Sequence, residues 1–263
     1  MRIMKCLAVS GLLLAGLALN ASPALAINNT CADREAMLVG STENWSIAAS
    51  SSAYFATRLQ AGRSYVFLAW TPFEDAGEGG GTVSLTLYSD VTCTTVVSVT
   101  DVETREPFSN LGAADIDAFA YIPTATGQFV FRVANGETRA VSHRILIYET
   151  SLYSPWWFTN GNTNAFVILS NRSNLSTSVT VTLNTGAGVQ CGTTTVVVPA
   201  NGNTAIVVNT FPTCLAAVSG SAQIAFLSTP GTIQANTTVI DGVQGISFDE
   251  PFQPRMVWSM TER

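Results

Sequence analysis

Apolar and polar residues alternate in short runs along most of the chain. In residues 178–183, Val179, Val181 and Leu183 alternate with serine and threonine, the period of two expected of a strand with one buried face. Helical periodicity is limited to one or two turns around residues 32–38. Similar β-branched or aromatic runs recur between Gly, Asn and Pro turns, at 54–58, 64–70, 82–88, 94–99, 116–122, 128–133, 141–148, 165–170, 193–198, 204–208, 221–227, 232–239 and 255–260. This spacing predicts an all-β fold of antiparallel β-sandwiches.

The length and the charge distribution divide the chain in two. Residues 27–150 contain 14 acidic residues and 7 arginines, whereas residues 151–263 contain 4 acidic residues and 3 arginines. With domains of roughly 100–150 residues as the norm, this shift predicts two β-sandwich domains, 27–150 and 151–263. The joint at 151–155 is too short for a floppy linker, so we expect the domains to touch.

Residues 1–26 have the pattern of an export signal. Arg2 and Lys5 precede an apolar stretch at 6–19, and Ala24 and Ala26 fit the small-x-small rule for cleavage. A retained membrane anchor is the weaker alternative, because Gly, Asn and Pro shorten the apolar core below the ~20 residues that span a bilayer. No later stretch predicts a membrane span. We therefore expect an exported chain that begins at Ile27 and lies in the periplasm, on the cell surface or outside the cell.

The charged residues disfavour several classes of function. Removing Arg2 and Lys5 from the 12 basic residues leaves 10 arginines against 18 acidic residues, a formal charge of −8 and no lysine. Nucleic-acid binding needs a basic footprint, and Schiff-base chemistry or a P-loop needs a lysine. His143 is the single histidine, which excludes a multi-histidine metal site. Within the strand-like run 141–148 it is predicted to lie at the edge of a core.

Four cysteines remain after the signal, namely Cys31, Cys93, Cys191 and Cys214. An even number in an exported chain predicts two disulfides. Cys191 and Cys214 are nearly equidistant from the turn at 199–203, so a hairpin of the runs 193–198 and 204–208 would bring them together. That leaves Cys31 to pair with Cys93. A metal site is disfavoured because the chain has no C-x-x-C pairs.

The first domain resembles the bacterial pre-peptidase C-terminal type of β-sandwich. The residues that carry the resemblance are AYFATRLQAGRSY at 53–65, LTLY at 85–88, DIDAFAYIP at 115–123 and GQFVFRV at 127–133. The resemblance covers about residues 41–150 and implies a jelly-roll-like fold. It implies no one function, since such modules accompany many secreted enzymes and surface proteins. Some relatives bind calcium or extracellular polymers, and the chain has no peptidase portion.

The second domain is similar to secreted bacterial Ig-like modules with no assigned activity. The matching residues are SPWWF at 154–158, LSN at 169–171, the turn PANG at 199–202 and the closing motif GISFDEPFQPR at 245–255. The resemblance covers nearly all of 151–263 and implies an Ig-like sandwich. It brings no activity with it.

Acidic residues of the first domain are candidates for an ion site. Asp115 and Asp117 lie two apart on a predicted strand, so their side chains share one face about 7 Å apart. Together with Glu74 and Asp75 in the glycine-rich loop 72–81, they are a candidate set of oxygen ligands for Ca²⁺. The plain alternative is that both aspartates are solvent-side residues at a strand entry. Acid/base work on a glycoside is a more distant alternative.

Trp156, Trp157 and Phe158 form the most unusual local cluster. Adjacent strand residues face opposite ways, so at least one ring points away from the core that receives the other. An exposed ring beside the asparagines of residues 160–164 can stack on a sugar. The alternatives are a ring that seals the joint between the domains and a cluster that lies wholly in a core.

These observations predict an exported, non-catalytic surface, structural or adhesion-like binding protein with no required cofactor. The alternative is a carbohydrate-binding or calcium-stabilised module that acts with a secreted enzyme, and a hydrolase is a third class. The expected partner is a polysaccharide or a surface protein. Self-association is a further expectation, because the second domain has little charge to keep its surfaces apart.

Overall fold

A computed structural model describes residues 28–72, 82–102 and 113–255. The predicted signal, Glu74 and Asp75 in the glycine-rich loop, and most of the run 255–260 lie outside these residues. Within them the chain forms eighteen strands, and no helix is long and apolar enough to span a bilayer. Apart from the short parallel pair of the first and third strands, all pairings are antiparallel. The prediction of an all-β sandwich fold is confirmed.

Nine strands precede residue 150 and form two sheets that face each other. They are β1 (Glu35–Ala36), β2 (Thr42–Ile47), β3 (Ser52–Leu59), β4 (Tyr65–Pro72), β5 (Val83–Tyr88), β6 (Thr100–Asp101), β7 (Ala113–Tyr121), β8 (Gly127–Asn135) and β9 (Val141–Glu149). One sheet has the order β1-β3-β8-β5 and the other β2-β9-β4-β7-β6. Inward side chains of both sheets share one aromatic core that includes Phe55, Phe67, Phe119 and Phe131.

Nine further strands form the second sandwich. They are β10 (Leu152–Phe158), β11 (Thr163–Asn171), β12 (Thr177–Thr185), β13 (Gln190–Val198), β14 (Asn203–Val207), β15 (Ser219–Phe226), β16 (Ile233–Asp241), β17 (Ile246–Pro251) and β18 (Gln253–Pro254). The sheet β13-β12-β15-β10-β18 packs on the sheet β14-β11-β16-β17. Their shared core is mainly aliphatic and contains one large ring, Trp157. Val179, Val181 and Leu183 of β12 are fully buried in it, as the alternation of 178–183 predicts.

Some local predictions differ from the structure. The run 94–99 makes only an isolated bridge between Val96 and Tyr88, and residues 32–38 contain β1 instead of a helical turn. β2 was not predicted, because its exposed first residues hide the alternation. Helix α1 (Pro212–Ala217) was also missed. With six residues it is too short for a helical period, although Pro212 at its first turn is a start signal.

Both predicted disulfides are present, and they indicate an oxidising compartment. Cys31 is bonded to Cys93 and Cys191 to Cys214, with Cα–Cα distances of 6.1 and 5.0 Å. The hairpin from which the second pair was predicted does not exist, however. β13 and β14 belong to different sheets, so the turn between them crosses the sandwich. Cys214 instead reaches Cys191 because it lies in α1, where its side chain is buried in the core.

The two sandwiches touch at the joint near residue 150. The backbone N–H of Ser64 donates to Oγ of Ser151 at 2.8 Å, and Nε2 of Gln223 donates to the carbonyl of Gly62 at 2.8 Å. Leu227 packs against a small apolar cluster on the outer face of β4 and β7. These contacts agree with the short joint expected from the sequence.

Candidate functional site

A β-bulge in β10 decides where the three adjacent aromatic rings lie. Ser154 pairs with Ala222 and Trp157 pairs with Gly220, so Pro155 and Trp156 both stand opposite the single residue Ser221. A bulge of this kind inserts one extra residue and re-aims the side chains that follow. Ser154 faces the core, and strict alternation would therefore have turned Trp156 inward. The extra residue instead sends Trp156 outward.

Trp157 is fully buried in the second sandwich, and its indole Nε1 donates to the backbone carbonyl of Ser221 at 3.0 Å. The ring fits because position 220 has no side chain. A Cβ added to Gly220 would lie 1.8 Å from the carbonyl oxygen of Asn184 and 2.7 Å from the Trp157 ring. Trp157 is therefore a core residue and not part of a surface.

Trp156 and Phe158 lie on the outer face, on either side of the buried ring. Trp156 is 37% exposed, and the planes of the two rings are within 4° of parallel with centroids 6.5 Å apart. Beside them lies an open groove with a volume of about 510 Å³. Its lining consists of these two rings together with Pro155, Thr185, Gly186, Gly188, Ser219, Gly220 and Ser221.

The groove is uncharged and offers hydrogen-bonding groups along its floor. None of its lining residues ionises, and residues 173–240, which supply six of the nine, contain no Asp, Glu, Lys, Arg or His. The hydroxyls of Thr185, Ser219 and Ser221 and the backbone of the glycines provide donors and acceptors. A neutral ligand with one apolar face and a polar rim fits this combination of surfaces.

Sequence reasoning identified Trp156, Trp157 and Phe158 as candidates for a ligand surface, of which Trp157 is instead buried, and it missed the rest of the groove. Its other walls come from the turn after β12 and the start of β15, where the backbone N–H of Gly186 donates to the carbonyl of Ser219 at 3.0 Å. These positions are more than thirty residues apart in the sequence. The one local signal was the small-residue stretch 219–221, which allows a large ring to approach closely.

The joint between the sandwiches lies at one end of β10, and the groove lies beside the rest of that strand. The joint is next to Tyr153 near the start of β10, where the Tyr153 hydroxyl donates to Oε1 of Glu149 at 2.5 Å. Arg63 pairs with Glu149 at 3.3 Å and lies over the Tyr153 ring. Burial and this hydrogen bond raise the pKa of Tyr153. Phe158 is five residues further along the strand, ~17 Å at 3.3 Å per residue, so its ring lies away from the joint, whereas Trp156 is only three residues from Tyr153.

Asp115 and Asp117 share one face of β7 and hold the edge of the opposite sheet. Asp115 Oδ2 accepts from the backbone N–H of Val83 at 2.5 Å, and Asp117 Oδ2 accepts from Leu85 at 2.6 Å. β5 is an edge strand, and these are donors that its pairing with β8 does not use. Burial raises the pKa of Asp117 despite the hydrogen bond from Leu85, and the nearby carboxylates of Asp101 and Asp115 add to the rise.

The remaining candidates are placed as follows. Among residues 28–72, 82–102 and 113–255, no three His, Cys, Asp or Glu side chains are grouped so as to hold a metal ion. Glu74 and Asp75, the other half of the candidate calcium set, lie outside the described residues. His143 is buried on the core face of β9, with Nδ1 2.9 Å from the hydroxyl of Thr71, in keeping with a structural histidine.

Comparison with known proteins does not assign this chain to a family. No family model matches it, and no curated protein matches it. Among solved structures, a β-glucuronidase from Bacteroides uniformis aligns with 79% of this chain and 26% of its own length, at 11% sequence identity and a TM-score of 0.18. So low a score carries no argument about fold or activity. The resemblances to pre-peptidase C-terminal and Ig-like domains stay predictions.

Proposed function

We propose that this chain is an exported, non-catalytic binding protein that holds a neutral polysaccharide in the groove beside Trp156 and Phe158. One observation carries the proposal. Two parallel aromatic rings lie on the outer face of β10, beside a groove lined with hydroxyl and backbone groups and without a charged residue.

Both the apolar face and the hydroxyl rim of a neutral sugar find matching groups in this groove. A pyranose ring has one face of C–H groups that packs on an aromatic ring, as other apolar surfaces do. Its hydroxyls project from the rim and need hydrogen-bond partners, which Ser219 and Ser221 offer at the edge of Phe158. An anionic polymer would gain nothing here, because no basic side chain lines the groove.

Two further observations support a non-catalytic, exported protein. Glycoside hydrolysis needs a pair of carboxyl groups across the bond, and the groove offers none, while Asp115 and Asp117 hold backbone N–H groups of β5. Export is supported by the predicted cleavage after Ala26 and by the two disulfides. An adhesion-like role at the cell surface follows if the bound polysaccharide belongs to a wall, a capsule or a matrix.

The test is affinity gel electrophoresis of the chain without residues 1–26 on gels that contain soluble β-glucan, xylan, galactomannan or dextran, with alginate as the charged polymer. We expect retardation by at least one neutral polymer. Trp156→Ala should weaken that binding about tenfold, since a stacked ring contributes ~1.5 kcal/mol. Phe248→Ala is the matched control, because Phe248 is 56% exposed but lies on β17 of the other sheet.

Circular dichroism in the near ultraviolet checks that each variant keeps its packed core. Retardation by none of the neutral polymers would refute the proposal. So would binding by Trp156→Ala that equals the binding of the unsubstituted chain. Equal losses in Trp156→Ala and Phe248→Ala would show that the ligand does not occupy the groove.

A further inference from the structure

Most edge strands of the described structure are short, charged or covered. β1, β6 and β18 have two residues each. On β5, the carboxylates of Asp115 and Asp117 accept hydrogen bonds from the backbone N–H groups of the free edge. The edge strand β2 exposes Glu43, and the edge strand β17 carries Asp249 and Glu250. These are the devices by which proteins keep free sheet edges from pairing with other chains. Two edges lack them, β13 and the five-residue β14.

β13 is the long unprotected edge. It runs for nine residues, Gln190–Val198, and pairs along one side with β12, while its other side meets no strand of the described residues. It contains no proline and no charged residue. Thr193 and Thr195 are exposed on its outer face, and Val197 is 63% exposed. A bulge at Cys191 interrupts the regular pairing at the start of the strand, so the backbone groups along the free side of residues 192–198 are the ones available to a further strand.

We propose that the free side of β13 pairs with β13 of a second copy of this chain, across a two-fold axis normal to the sheet. Two five-stranded sheets then form one continuous ten-stranded sheet. Two-fold contacts of this kind use the same surface on both copies and are the commonest way in which chains form dimers. The occupant is a second copy because the strand is complementary to itself.

Self-pairing brings compatible side chains together. In an antiparallel register centred on Thr194, Thr193 of one copy lies opposite Thr195 of the other, and such cross-strand threonine pairs are favourable. A charged residue near the centre of the strand would face a like charge in the partner, which destabilises a pair. The lack of any charge in β13, and in all of residues 173–240, removes this repulsion.

The dimer has a consequence for binding. Because the axis is normal to the sheet, the outer faces of both copies point the same way. Trp156 and Phe158 lie on that outer face, so the two grooves open on one side of the dimer. If the groove binds a repeating polymer, as proposed above, the two sites can act together, and linked sites gain affinity without new contacts. The dimer itself does not depend on that function.

The test is the molar mass in solution, measured by light scattering after size exclusion over a dilution series. We expect twice the mass of one chain at high concentration, and half of that for Thr195→Lys, because two lysines would then meet beside the axis. Thr193→Lys is a second edge variant with the same expected result. Thr180→Lys is the matched control. Thr180 lies on the same face of β12, with its Oγ1 3.0 Å from that of Thr195, but it is one strand in from the edge.

Circular dichroism and thermal unfolding establish that each variant is folded. The proposal is overturned if the unsubstituted chain is monomeric at every concentration. It is also overturned if the dimer persists in both Thr193→Lys and Thr195→Lys. A monomeric but folded Thr180→Lys also overturns it, since the contact would then lie between sheet faces and not between edges. None of these results depends on polysaccharide binding, so the two proposals fail separately.

Discussion

Replacing Gly220 by alanine tests whether the close packing of Trp157 shapes the groove. The new Cβ would lie 1.8 Å from the carbonyl oxygen of Asn184 in β12 and 2.7 Å from Cζ2 of Trp157. Carbon and oxygen atoms approach no closer than about 3.3 Å in sheets, so strands β12 and β15 must separate by more than an ångström. The Trp157 ring must also shift, because its Cζ2 would lie only 2.7 Å from the methyl group.

The expected loss in the free energy of unfolding is the sum of the effects of separating the strands and displacing the ring. Separation of the strands weakens about two backbone hydrogen bonds at ~1 kcal/mol each. Overpacking against Trp157 adds ~1–3 kcal/mol, while the smaller conformational freedom of alanine in the unfolded chain returns ~0.4–1 kcal/mol. The free energy of unfolding should therefore fall by about 3 kcal/mol. A shift of this size lowers the melting temperature by roughly 10 °C.

The assay is urea unfolding followed by tryptophan fluorescence, since Trp157 is buried in the folded chain. Gly186→Ala is the matched control. It also lines the groove, but its added Cβ has 3.9 Å to the nearest atom, Oγ of Ser219, so we expect a change within ~0.5 kcal/mol. A Gly220→Ala variant as stable as the unsubstituted chain would refute the reasoning. Equal losses in both variants would show that the groove glycines act through backbone conformation and not through space for Trp157.

The remaining predictions concern the edge of β5 and the second disulfide. Asp117→Ala leaves the Leu85 N–H without its acceptor and should cost about 1–3 kcal/mol, whereas Asp117→Asn keeps an acceptor and should equal or exceed the unsubstituted chain at neutral pH. Burial raises the pKa of Asp117, so the added stability of the protonated carboxyl is fully present below the unfolded-state pKa of about 3.9 and is lost as the pH rises through the folded pKa, while the hydrogen bond from Leu85 remains. Urea titrations should therefore show the advantage of asparagine shrinking on acidification, and an asparagine variant as unstable as the alanine variant would contradict this role. Replacing Cys191 and Cys214 together by alanine opens a loop with a sequence separation of 23 and should cost about 3 kcal/mol, and a calorimetric loss below ~1 kcal/mol would contradict it.

Strands with one well-buried face were predictable from sequence, and those without one were not. β12 follows the alternation at 178–183 because Val179, Val181 and Leu183 all enter one core. β2 has only Ile47 fully buried, so its residues show no period of two. The same limit applies to α1, whose six residues complete fewer than two turns.

The disulfide between Cys191 and Cys214 was predicted correctly for a wrong reason. The alternation in the runs 193–198 and 204–208 identifies two strands and the turn between them. It does not distinguish a hairpin within one sheet from a crossing between two sheets, because both give each strand one buried face. In the structure the crossing occurs, and α1 returns Cys214 to the start of β13.

The aromatic cluster at residues 156–158 was likewise predictable only in part from the sequence. The sequence places Trp156, Trp157 and Phe158 next to each other, and the alternation of a strand requires that they do not all face one way. Which ring is buried depends on the register of β10 against β15, and the bulge opposite Ser221 sets that register.

Local sequence by itself determined the all-β class, the presence of two disulfides and the low charge of the second sandwich, because strand alternation, cysteine count and charge can be read from the residues alone. Only the tertiary structure decided which sheet each strand joins, which ring becomes the core and which the surface, and that Gly186 meets Ser219 to complete a groove. These outcomes depend on pairings between segments far apart in the chain, and a period of two is the same whichever partner a strand takes.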